Sequence, residues 1–294
     1  MSQAKHLIAS QNRLGEGPLW HPDEQALYWV DIEDQRVERY QPAGGLRTSV
    51  HFPLAVTALG LRQSGGFITA TDKGFGYWDG RTSQITLFHN PEKDRPENRF
   101  NDGAVGPDGC FWAGTMRSGP QDESIAPGAL YRLEADGTSR LVQPEVVLSN
   151  GLGWSPDGTL FYHTDSIRQT IYVYDFDPNT GAAENCRVFV HDPGEPGVPD
   201  GLTVDSEGFV WSARWGGWKV TRFDPEGKPE REVILPVKCP TCCTFGGSGL
   251  NRLFITSAWT ELTPEERAAQ PQAGDIFVVE LDGITGQSPH RFLG

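Results

Sequence analysis

Asp200-Gly201-Leu202-Thr203-Val204 opens on a polar residue and a glycine, then runs on as a short apolar strand, and this frame returns along the whole chain. Its other instances are Glu16-Gly17-Pro18-Leu19-Trp20, Leu59-Gly60-Leu61, Asp102-Gly103-Ala104-Val105, Asn150-Gly151-Leu152-Gly153-Trp154 and Phe245-Gly246-Gly247-Ser248. The glycines fall at 17, 60, 103, 151, 201 and 246, at intervals of 43, 43, 48, 50 and 45. A period in the low-to-mid forties built from short strands predicts propeller blades. Six such units predict an all-β, six-bladed propeller with a central channel. If each frame opens the innermost strand of its blade, the six residues before the glycines ring one mouth of that channel. Four of them, Glu16, Asp102, Asn150 and Asp200, carry side-chain oxygens.

Within each unit the strands alternate apolar and polar positions and are rich in aromatic and β-branched residues, as in Ala26–Asp31 and Phe209–Trp215. Asp-Gly and Glu-Gly pairs at 108–109, 157–158 and 207–208 read as hairpin turns that need positive φ, and not as calcium loops. Thr263-Pro264-Glu265-Glu266 is a capping box with proline at the first helical position, which predicts one short helix in blade 6. Ring closure needs a fourth strand for blade 6. The apolar run His6-Leu7-Ile8-Ala9 is the expected donor, ahead of Pro289–Leu293, because it covers an otherwise unpaired edge. Arg117 to Pro127 is a polar insertion longer than a hairpin requires, and it is expected to overhang the channel mouth and help select the substrate.

No linker or composition shift divides the 294 residues, so residues 1–294 are expected to form one domain. A net charge of −14 argues against nucleic acid and against an anionic membrane as partners. No apolar run reaches signal-peptide or membrane-span length. Five cysteines are an odd number in a chain large enough to fold without staples, which points to a reducing, cytoplasmic setting. Cys239-Pro240-Thr241-Cys242-Cys243 lacks a second ligand pair at zinc spacing and reads as packing beside the channel.

Glu16, Asn150 and Asp200 form a set of hard oxygen donors with no His or Cys in register. By softness the set suits calcium, magnesium or manganese better than zinc. Arg99 and Asn101 stand two apart on the blade 3 strand and so share a face, from which a guanidinium and an amide can hold hydroxyls or a carboxylate. Asp102 is placed beside them as a further substrate contact. His21 and His163 read as structural. There is no Gly-x-Ser-x-Gly elbow, no His-Glu-x-x-His and no phosphate-binding glycine loop before a helix.

Taken together the motifs resemble the regucalcin/gluconolactonase family, which includes luciferin-regenerating enzymes and bacterial sugar lactonases. The matching stretches are Leu14–Trp20, Arg99–Gly103, Ala113–Met116, Ser149–Trp154, Pro199–Gly201, Cys242–Gly247 and Gln270–Phe277, in order over nearly the whole chain. The resemblance implies one divalent metal ion (Ca, Mn, Mg or Zn) held by Glu16, Asn150 and Asp200, with Arg99 and Asn101 on substrate hydroxyls and Asp200 as general base. It implies hydrolysis of a sugar (aldono)lactone to the aldonic acid, with water activated by Asp200 or by the metal. The chain departs from the animal pattern after Met116. Arg117, Ser118 and Gly119 stand where an acidic sugar contact is expected, and Asp122 and Glu123 are the acids that follow. The alternative classes are a non-enzymatic propeller that binds calcium or a partner on its faces, and a metal-dependent hydrolase of other lactones or of phosphotriesters.

Overall fold

The computed structural model describes residues 2–119 and 127–294. Six sheets, each built on four antiparallel strands, stand around a central axis as propeller blades, and two of them gain a fifth, parallel strand: Ser2–Gln3 in blade 5 and Arg291–Phe292 in blade 2. Their innermost strands are Gly15–His21, Val56–Arg62, Asn98–Val105, Ser149–Trp154, Val198–Val204 and Pro240–Gly246. Blade 6 takes its outer strand from the N-terminus, where Lys5–Ile8 pairs antiparallel with Ile276–Glu280. The N-terminal segment thus closes the ring by covering the third strand of blade 6, which would otherwise be left as an unpaired edge. Pro264–Ala269 is the one helix among the described residues, capped by Thr263 and Glu266 in a reciprocal capping box. It is far too short to cross a membrane.

Side chains from facing sheets fill the wedges between neighbouring blades. Tyr28, Phe67 and Trp78 pack between blades 1 and 2, Trp112, Trp154 and Phe161 between blades 3 and 4, and Trp20, Trp29 and Phe254 between blades 6 and 1. The turn glycines fall where the sequence places them, with φ of +70° at Gly109, +68° at Gly158 and +84° at Gly208. In blade 1 no glycine is available, and Gln25 takes the left-handed conformation with φ of +48°.

Every innermost strand carries a register irregularity near its start. It falls after Glu16 in blade 1, after Phe100 in blade 3, after Asn150 in blade 4 and after Pro199 in blade 5. A bulge bends the strand and re-aims the side chains beside it, here toward the axis. Gly151 has φ of +29° and sits so close to the next blade that a Cβ would lie 2.7 Å from the Asp200 carbonyl oxygen. Gly201 likewise has no room for a Cβ, because Cys242 of blade 6 packs against it.

The frame is not uniform around the ring. In blades 2 and 6 the irregularities fall at Thr57 and at Thr241–Cys242, and Gly60 and Gly246 lie further along the strand. Those two glycines serve packing between blades. A Cβ on Gly60 would lie 2.5 Å from Val105, and one on Gly246 would lie 2.7 Å from Trp20. Leu59 and Phe245 are therefore core residues of the wedges and not mouth residues.

The far end of the channel is crossed by the C-terminal segment, which touches all six blades. Gly286 N–H donates to Leu250 O at 2.7 Å, and Gln287 Nε2 donates to Val204 O at 3.2 Å and Trp154 O at 3.0 Å. Leu293 N–H donates to Gly109 O at 3.0 Å, and Arg291 reaches Asp23 at 2.5 Å. Arg291–Phe292 adds to blade 2 as a parallel strand beside Leu61 and Arg62. The run Pro289–Leu293, passed over as the blade 6 strand, works instead as a strap across this mouth. Gln287 to His290 line a small cavity of about 160 Å³ there.

Candidate metal and substrate site

At the mouth where the inner strands begin, Glu16, Asn150 and Asp200 come together with Arg99 and Asn101 as the polar lining of a pocket of about 680 Å³. The walls include Leu14, Met116, Leu148, Val198 and Trp215. All three candidate ligands are buried, as is Asn101. Asn101 and Asn150 belong to a chain of hydrogen bonds that begins at Arg99. Arg99 Nη1 donates to Asn101 Oδ1 at 2.9 Å, Asn101 Nδ2 donates to Asn150 Oδ1 at 2.7 Å, and Asn150 Nδ2 donates to Ser166 Oγ at 2.9 Å.

Two buried aspartates fix the segments that lead into the ligand strands. Asp31 accepts from the backbone N–H groups of Arg13 and Leu14, both at 3.1 Å, just ahead of Glu16. Asp165 does the same for Val147 and Leu148, at 3.0 and 3.3 Å, just ahead of Asn150. Each is paired with an arginine, Arg36 at 2.9 Å and Arg168 at 3.0 Å. Sequence reading took Asp31 only as the end of the strand Ala26–Asp31 and did not single out Asp165. The repeat of an aspartate closing the second strand of a blade is the signal that could have revealed them.

The pocket floor gathers buried carboxyl groups that repel one another. Burial pushes the Glu16 carboxyl well above the usual carboxylate range, and the charges of Asp200 and Asp102 push it further, against the pull of Arg99. Burial also raises Asp200, with Asp102 adding to the effect. Burial raises Asp102 to about 6, although the N–H groups of Gly103 and Gly151 oppose the shift. Crowded, buried carboxylates of this kind are relieved by a positive ion. The donors fit one, because Glu16 and Asp200 offer carboxylate oxygens and Asn150 Oδ1 keeps a lone pair after accepting from Asn101. Among the described residues no group of three His, Cys, Asp or Glu side chains is arranged to hold a metal.

The structure does not bring Asp102 to this pocket. Asn101 and Asp102 both lie within the register irregularity between Phe100 and Gly103, and the two side chains part there, with Asn101 at the mouth and Asp102 below it. It lines the smaller strap-end cavity, and its carboxylate accepts from Gly103 N–H at 2.7 Å. Asp122 and Glu123 lie outside the described residues, and of the insertion's first residues Gly119 lines the pocket. His163 is fully buried within the second strand of blade 4, with Nε2 2.8 Å from Ser149 Oγ, and His21 lies toward the strap end. Sequence reasoning missed Ser166, Glu33, Thr260 and Glu261, which come from loops with no motif of their own, and Trp215, which ends the strand Val210–Trp215.

A propeller with buried oxygen donors and a polar arm at one mouth defines a class of small-molecule site, and comparison with known proteins defines the family. Residues 14–259 match the SMP-30/Gluconolactonase/LRE-like region, and the chain belongs to that family. It is 37% identical to a 6-deoxy-6-sulfogluconolactonase of Pseudomonas putida, over 99% of this chain and 98% of that one. It is 38% identical to a pentonolactonase of Haloferax volcanii, over 86% of this chain and 84% of the other. Among solved structures, a calcium-binding protein, regucalcin, from Agrobacterium tumefaciens superposes with a TM-score of 0.92 at 29% identity, covering 99% of this chain and 98% of that one.

Proposed function

We propose that this protein hydrolyses a sugar lactone to its aldonic acid with the help of one divalent metal ion. The observation that supports this most is the direct bond from Asn101 to Asn150, which couples a hydroxyl-binding arm to a buried oxygen-donor set. The lactonase names of its relatives point the same way. Glu16, Asn150 and Asp200 would hold the ion, and a divalent ion there supplies Lewis-acid polarisation of the lactone carbonyl. Arg99 and Asn101 orient the sugar hydroxyls, with the Arg99 fork set by its bonds to Phe100 O and Asn101 Oδ1. Asp200 takes the proton from the attacking water and passes it to the ring oxygen, which leaves as the hydroxyl of the open acid as its bond to the carbonyl carbon breaks. The apolar walls Met116, Leu148 and Val198 limit competing water.

The test is a proton-release assay over five- and six-carbon aldonolactones, with product identified by NMR. Hydrolysis of at least one above the spontaneous rate supports the proposal. Tight calcium binding without hydrolysis of any lactone would favour the scaffold reading instead.

A further inference from the structure

Two carboxylates on the blade 1 and blade 6 side of the pocket take no part in the reaction above. Glu33 lies in the turn after the strand Ala26–Asp31, and Glu261 lies between the strand Arg252–Ser257 and the helix; both line the pocket. Glu33 is held firmly. Its Oε1 accepts from Thr260 Oγ1 at 2.9 Å, and its Oε2 is 2.8 Å from the Arg13 guanidinium. The partners are fixed in turn, because Trp259 and Thr260 N–H both donate to Arg13 O, at 3.1 and 3.0 Å. Arg13 and Arg267 lie 5.7 and 5.4 Å from the Trp259 ring. Glu261 holds a left-handed φ of +65°, a strained setting for a glutamate.

This arrangement does two things. It presents fixed acceptor oxygens to the pocket, and it neutralises Arg13, which would otherwise place a positive charge at the rim. The Glu33 charge is also felt at Arg99 across the pocket. From this geometry we infer that Glu33, supported by Glu261, selects the substrate by charge. It accepts from a hydroxyl at the end of an uncharged polyhydroxy lactone remote from the carbonyl, and it disfavours a lactone bearing phosphate or sulfonate there. The inference rests on the lactonase reading of the same pocket.

Glu33→Gln leaves an acceptor oxygen in place and removes the charge, and Arg13 then keeps only its longer pairing with Asp34 at 3.8 Å, so the rim becomes less negative. The experiment compares kcat/KM for glucono-1,5-lactone and its 6-phosphate in the metal-loaded wild type, Glu33→Gln and Glu261→Gln. Binding of gluconate and 6-phosphogluconate is measured in parallel by calorimetry. The wild type is expected to favour the neutral compound in both assays by about tenfold or more. Glu33→Gln should narrow that ratio by about tenfold, by raising the phosphorylated arm, and Glu261→Gln by less. The wild-type preference should shrink as salt is added, which a purely structural role would not produce. A wild type that prefers the phosphorylated compound, or ratios that Glu33→Gln leaves unmoved, would overturn the inference. If neither lactone turns over, the hydrolytic reading fails, while the acid-binding ratio still decides the role of Glu33.

Discussion

Asn101 donates its amide N–H to Asn150 Oδ1 at 2.7 Å, so the arm that reaches for substrate also sets the orientation of a candidate metal ligand. The same amide group donates to Ser149 O at 3.0 Å, which ties it to the ligand strand itself. Asn101→Ala should therefore weaken metal binding as well as raise KM, with metal affinity falling by about tenfold or more, as is usual for partners that orient a ligand. Asn150→Ala should weaken the metal further, and excess metal should restore part of the activity. Calorimetric titration with Ca²⁺ and with Mn²⁺ checks both. An Asn101→Ala protein with unchanged metal affinity would uncouple arm from ligand.

The strap should contribute to the stability of the whole ring. Phe292 is fully buried among residues of blades 2 and 3, and truncating such a side chain costs about 3–5 kcal/mol. Phe292→Ala should lower the urea midpoint accordingly, and deletion of residues 287–294 should lower it more. Metal affinity at the opposite mouth should change little, since the strap touches no candidate ligand.

His163 makes stability depend on pH. Burial lowers its pKa from the ordinary 6.5 to about 3, so the folded protein keeps it neutral while the unfolded chain takes up a proton. Its contribution is complete above about pH 6.5 and is lost as pH falls toward about 3. The slope from this one group is at most about 1.4 kcal/mol per pH unit. His163→Gln, which keeps a partner for Ser149, should flatten acid unfolding in that window, as followed by fluorescence at a series of pH values.

Much of this architecture was legible in the chain because propeller blades repeat, and repetition exposes the polar residues that break the pattern. Glu16, Asn150 and Asp200 stand where four of the six frames agree, and the bulge beside each turns its side chain to the axis. Leu59 and Phe245 were misplaced because a glycine can serve a bulge or a close blade contact, and sequence does not distinguish the two. Asp102 was placed by its neighbours, whereas the irregular strand between Phe100 and Gly103 turns it to the other cavity. Ser166, Glu33 and Thr260 were invisible for a different reason. They reach the pocket from loops of three blades, and only the closed ring brings them together.

The central claim is that a metal bound by Glu16, Asn150 and Asp200 is needed for lactone hydrolysis, with Asp200 also taking the proton from water. Turnover against metal concentration, in metal-stripped wild type and in Asp200→Asn, tests it most directly. Stripped wild type should be inactive and should recover as one equivalent is added. Asp200→Asn keeps an oxygen donor in place but loses charge and proton acceptor, so at saturating metal its turnover should stay about 10²-fold or more below wild type. Full rescue of Asp200→Asn by metal would show that the carboxylate only binds the ion, and full activity of the stripped wild type would contradict the account.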